Sequence, residues 1–362
     1  MARTTKKPAR IKTAIIGCGK NANELHTPIL LKHPEFEVVG TYDIVADRAE
    51  KLAKVFYLNG HTNCKAYPSR EALLKTDVEY VVVLTDSYMH TEVAAACLRA
   101  GKNVLITKPW ALNSEDAAFI IKEAKAAKKK YGVSLMPFLP QNWGSDLSTI
   151  KKIIASGEIG EVYEIRRRAG TFGKRYDWQL YKKFGGGYLN NWGPHLLGQL
   201  MAAVDEPIVK VCAEKRQVIM DGDCEDTFIA NMKTESGIIL NCEHCIMVDK
   251  LPHWIVQGSK GTIFITDGNI DLHRISYPGP IDPTAYRSKT EDDNYNGPLE
   301  GQYNGDRYAI YTHIADVIRG KCEYAVPLTF TRNLTTVCDA IHKSADTDEI
   351  VRISPKEWNK PL

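Results

Sequence analysis

The first 140 residues alternate between short apolar runs and helical patterns, and this alternation restricts the fold more than any other feature of the chain. The apolar runs are nearly continuous, which is typical of strands covered on both faces of a sheet. They span residues 12–16, 36–42, 79–84, 103–106 and 133–139. The pattern between them is helical, for example at 47–57, and we expect Ser114 to cap a long helix. This order predicts right-handed βαβ units in a doubly wound, mostly parallel α/β sheet.

After about residue 140 the pattern changes to runs of strands. These runs span residues 161–169, 208–217, 227–233, 238–247, 253–257 and 262–266. They predict an α+β domain with a mostly antiparallel open sheet. Residues 276–306 read as a long loop, and two helices are expected at 307–319 and 330–345. The chain is long enough for two domains, which we predict to be 1–140 and 141–362.

Composition excludes several classes of protein. The net charge of +3 gives no sign of nucleic-acid binding, and no apolar run reaches the length of about 18 residues needed to cross a membrane. The basic residues of the N-terminal cluster are expected to form a solvated tail without a signal peptide; they are Arg3, Lys6, Lys7, Arg10 and Lys12. Nine scattered cysteines fit a reducing cytoplasm. The segment Cys242–Cys245 could in principle bind zinc, but it reads as a strand, and we expect no metal site.

The segment that follows the first strand fits a dinucleotide-binding fingerprint, G-x-G-x-x-G/A, in the required strand-to-helix context. The first glycine would make the tight turn, and the second would let a pyrophosphate approach the helix N-terminus. The candidate cofactor-binding residues here are Gly17, Cys18, Gly19, Lys20 and Asn21. Asp43 ends the next strand about 20 residues further on, where a carboxylate binds the adenosine ribose and favours NAD over NADP.

Polar residues also follow the third and fourth strands, at the edge where such sheets bind ligands. Thr85, Asp86 and His90 are candidates to face the ribose and phosphates, although Ser87 or Thr91 could instead make this segment a helix cap. Lys108 ends the fourth strand and would place an ammonium group where cofactor and substrate meet. The bond from Lys108 to Pro109 is a candidate cis peptide.

A further candidate site lies in the second half, after a run of glycines at 185–187. We expect Asn191 to cap the helix that follows and His195 to lie one turn later on the same face. A histidine on a half-apolar helix is usually structural, but the preceding glycines and the Asn191 partner favour a catalytic role.

Together these motifs resemble those of the Gfo/Idh/MocA oxidoreductases over nearly the whole chain. The resemblance implies a Rossmann domain that binds NAD(H) or NADP(H), followed by a sheet domain for substrate and oligomer contacts. It also implies that Lys108 is the catalytic lysine and His195 the catalytic histidine. The sequence departs from the family pattern at three positions: Thr107 replaces a glutamate, Asp86 a proline and Asn191 an aspartate.

The expected reaction is hydride transfer between NAD(H) and a secondary alcohol or ketone of a sugar, polyol or sugar derivative. His195 would act as general base and Lys108 would stabilise the developing negative charge on the substrate oxygen. Sugar contacts are expected from Asn142, Tyr176, Trp178, Asn191, His195 and Lys108. We expect a homodimer or homotetramer. A lyase or hydrolase that uses bound NAD transiently, a reductase of another carbonyl and a non-catalytic dinucleotide sensor remain alternatives.

Overall fold

A computed structural model describes residues 9–280, 282–303, 305–358 and 360–362. Of the predicted basic tail, Arg3, Lys6 and Lys7 lie outside the described residues. The prediction was wrong for the other two residues, because Arg10 Nε donates a hydrogen bond to the Phe36 carbonyl at 2.7 Å and Lys12 lies within the first strand. The chain divides into two compact units, one running to Phe138 and including Arg307–Arg332, the other comprising Leu139–Asp306 and Asn333–Leu362. A single cut at residue 140 does not include this return of Arg307–Arg332 to the first unit.

The first unit is built on a parallel sheet of six strands, in the order β3-β2-β1-β4-β5-β6. The strands are β1 (Ile11–Ile16), β2 (Phe36–Tyr42), β3 (Lys65–Ala66), β4 (Tyr80–Val83), β5 (Asn103–Thr107) and β6 (Leu135–Phe138). β4 is buried at every position, because helices cover both faces of a doubly wound sheet. The predicted doubly wound fold is confirmed, and its strand order reverses between β1 and β4, where such folds bind ligands.

Up to Phe138 the helices of this unit are α1 (Thr27–Leu30), α2 (Ala46–Leu58), α3 (Arg70–Leu74), α4 (His90–Arg99) and α5 (Ser114–Tyr131). All except α3, which was not predicted, follow the predicted positions with small shifts. The helix Arg307–Ile318 also belongs to this unit. The cap predicted at Ser114 was wrong by one residue. Asn113 caps α5, because its extended backbone lets its side-chain oxygen accept a hydrogen bond from the backbone N–H of Asp116 at 2.8 Å.

The second unit contains a sheet of nine strands in the order β14-β13-β12-β11-β7-β10-β9-β8-β15. The strands are β7 (Val162–Thr171), β8 (Ile208–Arg216), β9 (Thr227–Thr234), β10 (Ile239–Ile246), β11 (Trp254–Gly258), β12 (Gly261–Thr266), β13 (Asn269–Ser276), β14 (Glu291–Pro298) and β15 (Val351–Arg352). All neighbours are antiparallel except β7 and β10, so the predicted sheet type is confirmed. The predicted loop at 276–306 was wrong in part, because β14 pairs with β13 as an exposed edge strand.

The remaining helices are α6 (Ser145–Ser156), α7 (Tyr188–Val204), α8 (Arg307–Ile318), α9 (Leu328–Thr347) and α10 (Pro355–Trp358). α7 packs on β7, β9 and β10. Along β9, buried side chains alternate with more exposed ones, as expected for a sheet covered on one face. The segment Cys242–Cys245 lies within β10, as its apolar pattern predicted.

Candidate functional site

The loop after β1 brings its backbone against the end of β4. Gly17 has φ +92°, a conformation that favours glycine. A Cβ on Gly17 would lie only 2.5–2.6 Å from backbone atoms of Leu84 and Thr85, whereas a Cβ on Gly19 would meet nothing within 4 Å. The turn therefore requires the first glycine, and the second leaves the backbone open to an approaching ligand.

Asp43, which follows β2, holds this loop through backbone hydrogen bonds. The N–H of Cys18 donates to Asp43 Oδ2 at 2.7 Å, and the N–H of Val45 donates to Oδ1 at 2.8 Å. Each carboxylate oxygen can accept a further bond, so both remain able to bind ribose hydroxyls. Burial, reinforced by the Asp43 carboxylate, raises the pKa of the Cys18 thiol to about 12. The thiol is therefore protonated, and it donates to the Tyr42 carbonyl at 3.5 Å.

A cleft of about 400 Å³ opens at the carboxyl ends of β1, β2 and β4. It is lined by Ile16, Gly17, Gly19, Tyr42, Asp43, Ile44, Arg48, Arg70, Glu71, Leu84, Thr85, Asp86, Tyr88, Met89, Glu92 and Val93. Five of the residues that the sequence assigned to the cofactor are brought together here, namely Gly17, Gly19, Asp43, Thr85 and Asp86. The other five, namely Cys18, Lys20, Asn21, His90 and Lys108, are not part of this lining. The Lys20 side chain is 80% exposed and lies 3.8 Å from Glu24.

Two residues near the end of β4 have different environments. The Thr85 hydroxyl oxygen is buried, and none of the described residues forms a hydrogen bond with it. Such a buried polar atom usually marks the place of a water or a ligand group. His90 is buried, and its Nδ1 and Nε2 lie 2.7 Å and 2.9 Å from the carbonyl oxygens of Pro109 and Thr85. These contacts are those of a residue that links two strand ends, and a direct role of His90 in cofactor binding stays a prediction.

Lys108 follows β5 directly and is partly buried. The peptide bond between Lys108 and Pro109 is cis, as the sequence suggested. Burial lowers the pKa of His90, and the positive charge of Lys108 lowers it further. The buried Thr107 hydroxyl lies 3.4 Å from both the Val83 carbonyl oxygen and His90 Nε2. Lys108 is thus followed and preceded by residues that His90 contacts.

In the second unit, the start of α7 differs from the prediction. Asn191 does not cap the helix, which begins at Tyr188 after Gly187 at φ +100°. The cap comes from Glu225, whose side-chain oxygen accepts a hydrogen bond from the Leu189 N–H at 3.1 Å and whose carbonyl accepts one from the Tyr188 N–H at 3.1 Å. Asn191 and His195 consequently both lie inside α7, one turn apart, as a shared face requires.

Aromatic rings line the side of α7 that carries His195. The buried His244 ring lies between Tyr188 and Trp192, with centroid distances of 4.4 Å and 5.6 Å. The Trp192 ring in turn meets His195 edge-on at 6.2 Å. Burial lowers the pKa of His244 to about 4, so its ring is neutral near pH 7. The Trp192 ring therefore borders His195 on this side of α7.

A buried polar network also holds α7, and no local pattern in the sequence indicates it. Gln199 follows His195 by one turn and accepts a hydrogen bond from Arg167 Nε at 2.7 Å. Gln199 Nε2 donates to Asp146 Oδ2 and to the Gln141 carbonyl, both at 3.1 Å. Trp254 Nε1 donates to the same Asp146 oxygen at 2.8 Å. This network links the turn next to Asn142 with the helix that carries His195.

The other predicted sugar contacts are placed in different ways. Asn142 lies in a turn at Pro140–Trp143, and a Cβ on Gly198 of α7 would lie 3.3 Å from its side-chain oxygen. Tyr176 is 80% exposed, near Lys174. Trp178 is partly buried and begins a short turn in which the Asp177 side chain accepts a hydrogen bond from the Gln179 N–H at 3.1 Å. The structure thus brings Asn142 close to α7, while the sugar-binding roles of Tyr176 and Trp178 stay predictions.

Several residues of the first unit were missed at the sequence level. Asn23 Nδ2 donates to the carbonyls of Cys18 at 3.0 Å and Gly19 at 2.8 Å, which fixes the loop from behind. Ile44 lies in the cleft beside Asp43 with 82% of its surface exposed, a position suited to an apolar contact with a base. Only their closeness to the fingerprint and to Asp43 could have identified them.

The described residues contain neither a metal-binding cluster nor a membrane-spanning helix. No group of three or more His, Cys, Asp or Glu side chains in those ranges is arranged to hold a metal ion. No helix there is both long and apolar enough to pass through a membrane.

The fold and the cleft define a dinucleotide-binding Rossmann protein of the oxidoreductase type. Residues 11–135 match the family described as "Oxidoreductase family, NAD-binding Rossmann fold", and residues 147–264 match the "GFO/IDH/MocA C-terminal domain". The chain belongs to the Gfo/Idh/MocA oxidoreductase family.

Individual relatives are distant. The chain is 28% identical over 274 residues to the uncharacterized oxidoreductase YhhX of Escherichia coli, covering 75% of this chain and 76% of the relative. It is 26% identical over 199 residues to scyllo-inositol 2-dehydrogenase (NADP(+)) IolW of Bacillus subtilis, covering 54% and 52%. Among solved structures, an NAD-binding protein from Listeria innocua superimposes with a TM-score of 0.81 at 27% identity, covering 95% of this chain and 97% of that one.

The residues present fit a bound dinucleotide. The open backbone at Gly19, the two backbone-held oxygens of Asp43 and the buried Thr85 hydroxyl are the features that such a group would use. We therefore treat the cleft of the first unit as its binding place.

Proposed function

We propose that this protein is an NAD-dependent dehydrogenase that acts on a CH–OH group of a sugar, polyol or sugar derivative. Membership of an oxidoreductase family supports the reaction type. The relative named as a scyllo-inositol dehydrogenase supports a polyol or sugar as the substrate class, although it shares only 26% identity.

The single observation that carries the cofactor proposal is the position of Asp43. Its carboxylate lines the same cleft as the glycine loop and is fixed there by the N–H groups of Cys18 and Val45. A fixed anion at this place accepts hydrogen bonds from ribose hydroxyls and repels a 2′-phosphate. This favours NAD(H), even though the Bacillus subtilis relative is named for NADP.

When bound, the nicotinamide would supply the group that accepts or donates the hydride. Lys108 would donate a hydrogen bond to the substrate oxygen and stabilise the negative charge that develops as its proton leaves. Because Thr107 is neutral, no carboxylate at the adjacent position compensates the ammonium charge.

His195 would take the hydroxyl proton as general base, a role that typically contributes about 10²–10⁴-fold. Its position on α7 is stabilised from two sides, by the Trp192 ring and by the Gln199 network one turn further on. Asn191, one turn before it, would hydrogen-bond a substrate hydroxyl, and Asn142 is a second candidate for such a contact. An amide at position 191 can orient a hydroxyl but cannot accept its proton.

The test is a screen for NADH formation with inositols, aldoses, glucosides and sugar acids, followed by variants on the best substrate. Lys108→Ala and His195→Ala should each lower kcat by about 10²-fold or more. Lys54→Ala and His273→Ala remove an exposed lysine and an exposed histidine elsewhere and should have no effect. Near-full turnover in both Lys108→Ala and His195→Ala would show that the proposed catalytic residues are wrong. Product formed without net NADH would instead support transient use of NAD.

Assembly into a homodimer or homotetramer and a place in the cytoplasm are proposals as well. The unpaired state of all nine cysteines is consistent with a reducing compartment. Sedimentation analysis of the purified protein would test the assembly, because a monomer at micromolar concentration would contradict it.

A further inference from the structure

Arg70 is a cation inside the cofactor cleft, and two glutamates already hold it. It begins α3, and its side chain is only 22% exposed. Arg70 Nη1 donates to Glu92 Oε1 at 3.0 Å, and Arg70 Nε donates to Glu71 Oε1 at 3.2 Å. All three residues line the cleft together with Asp43. The guanidinium is thus bound on two of its edges by carboxylates.

The charges of the cleft disfavour binding of the 2′-phosphate that distinguishes NADP(H) from NAD(H). Its lining contains the carboxylates of Asp43, Glu71, Asp86 and Glu92 but only the guanidiniums of Arg48 and Arg70. A 2′-phosphate brings a charge of about −1.5 to −2 at pH 7 and needs cationic partners. Arginine is the best such partner, since its planar fork matches phosphate oxygens.

We propose that Glu71 and Glu92 occupy the Arg70 guanidinium and so deny NADP(H) one of the two guanidiniums of the cleft that its 2′-phosphate could use. The preference for NAD(H) over NADP(H) then has two causes. The Asp43 carboxylate repels the 2′-phosphate, and Arg70 is already paired with two glutamates. This inference rests on the proposed use of NAD(H) in this cleft. It adds Arg70, Glu71 and Glu92 to Asp43 as residues that determine which dinucleotide binds.

The two ion pairs of Arg70 can be removed by mutation at little cost to the stability of the fold. Glu71 and Glu92 are 64% and 66% exposed, and pairs at such positions contribute little to stability. Alanine at both positions should therefore leave the fold intact, because both lie on helices that alanine favours. Arg70 would keep its place in the cleft and gain free hydrogen-bond donors.

The experiment measures the Kd of NADH and NADPH by fluorescence titration of the purified full chain, so no substrate is needed. The wild type should bind NADH more tightly than NADPH. Glu71→Ala/Glu92→Ala should tighten NADPH binding about tenfold, the size of one charge-assisted hydrogen bond, and change NADH binding by no more than about twofold. Adding Arg70→Met should return NADPH binding to the wild-type level.

Glu123→Ala is a matched control, because it releases Arg99 from a two-bond ion pair of the same unit that does not line the cleft. It should leave both Kd values unchanged. A gain in NADPH binding that survives Arg70→Met would show that only the loss of negative charge matters, and it would overturn the proposal. No gain at all, with NADH binding intact, would overturn it too. A wild type that binds neither dinucleotide would refute the proposed function itself, and this inference with it.

Discussion

Replacement of the two loop glycines separates what the fold needs from what the cofactor needs. Gly17→Ala places a methyl group 2.5–2.6 Å from the backbone of Leu84 and Thr85 and forces a residue with a side chain to φ +92°. The backbone conformation costs about 1–2 kcal/mol and the crowding about 1–3 kcal/mol. Reduced freedom of the unfolded chain offsets about 0.4–1 kcal/mol of this.

The expected loss is therefore about 1–4.5 kcal/mol, or a Tm lower by roughly 2–18 °C for the transition of the first unit. Gly19→Ala is the matched variant, since its methyl group would meet no atom within 4 Å. It should unfold like the wild type but bind NADH at least about tenfold more weakly, because the methyl would occupy the space through which a pyrophosphate approaches.

Calorimetry without cofactor measures the Tm of each variant, and titration with NADH measures its affinity for the cofactor. A Gly17→Ala protein with an unchanged Tm would show that β4 can move away, and the steric reasoning would then be wrong. Unchanged NADH affinity in Gly19→Ala would place the pyrophosphate elsewhere and remove the main structural support for the cofactor site.

Asp43→Asn should weaken NADH binding about tenfold and narrow its margin over NADPH, as measured by fluorescence titration, because a neutral amide binds ribose less well and does not repel phosphate. Burial lowers the pKa of His26 from its ordinary 6.5 to about 3, so the unfolded chain binds a proton that the folded chain does not. Stability should fall as the pH drops from about 6.5 towards 3, by at most about 1.4 kcal/mol per pH unit, and His26→Gln should reduce this slope in urea unfolding. Arg167→Met should destabilise the second unit by about 3–5 kcal/mol, because the buried Gln199 side-chain oxygen loses its donor and the Arg168 and His253 carbonyls each lose one hydrogen bond; an unchanged thermal transition would refute this.

Much of the first unit could be predicted because its signals are local. Apolar runs indicate the strands, and the glycine spacing after β1 together with Asp43 after β2 indicates the position of the cleft. These features depend on neighbours along the chain, which periodicity and turn chemistry describe. The cap of α5 shows the limit even there, since Asn113 and Ser114 are equally good candidates by residue type and only the backbone conformation separates them.

The rest depended on contacts between residues far apart in the chain. The cap of α7 comes from Glu225, and no local pattern marks a glutamate as the partner of a helix that begins at Tyr188. The pairing of Arg70 with Glu92 has the same character. β14 was missed for another reason, because a polar, exposed edge strand lacks the apolar alternation by which strands are recognised.

Position 107 shows how the departure from the family pattern fits its surroundings. The Thr107 side chain is buried beside His90, whose pKa is lowered by burial and by the Lys108 charge. A carboxylate at 107 would have to be desolvated next to a neutral imidazole, at a cost that only a nearby cation could offset. A hydroxyl avoids that cost and still lies 3.4 Å from both His90 Nε2 and the Val83 carbonyl oxygen. The buried position between two strand ends therefore accommodates a threonine more readily than a carboxylate, and the role of Lys108 stays a proposal that its variants test.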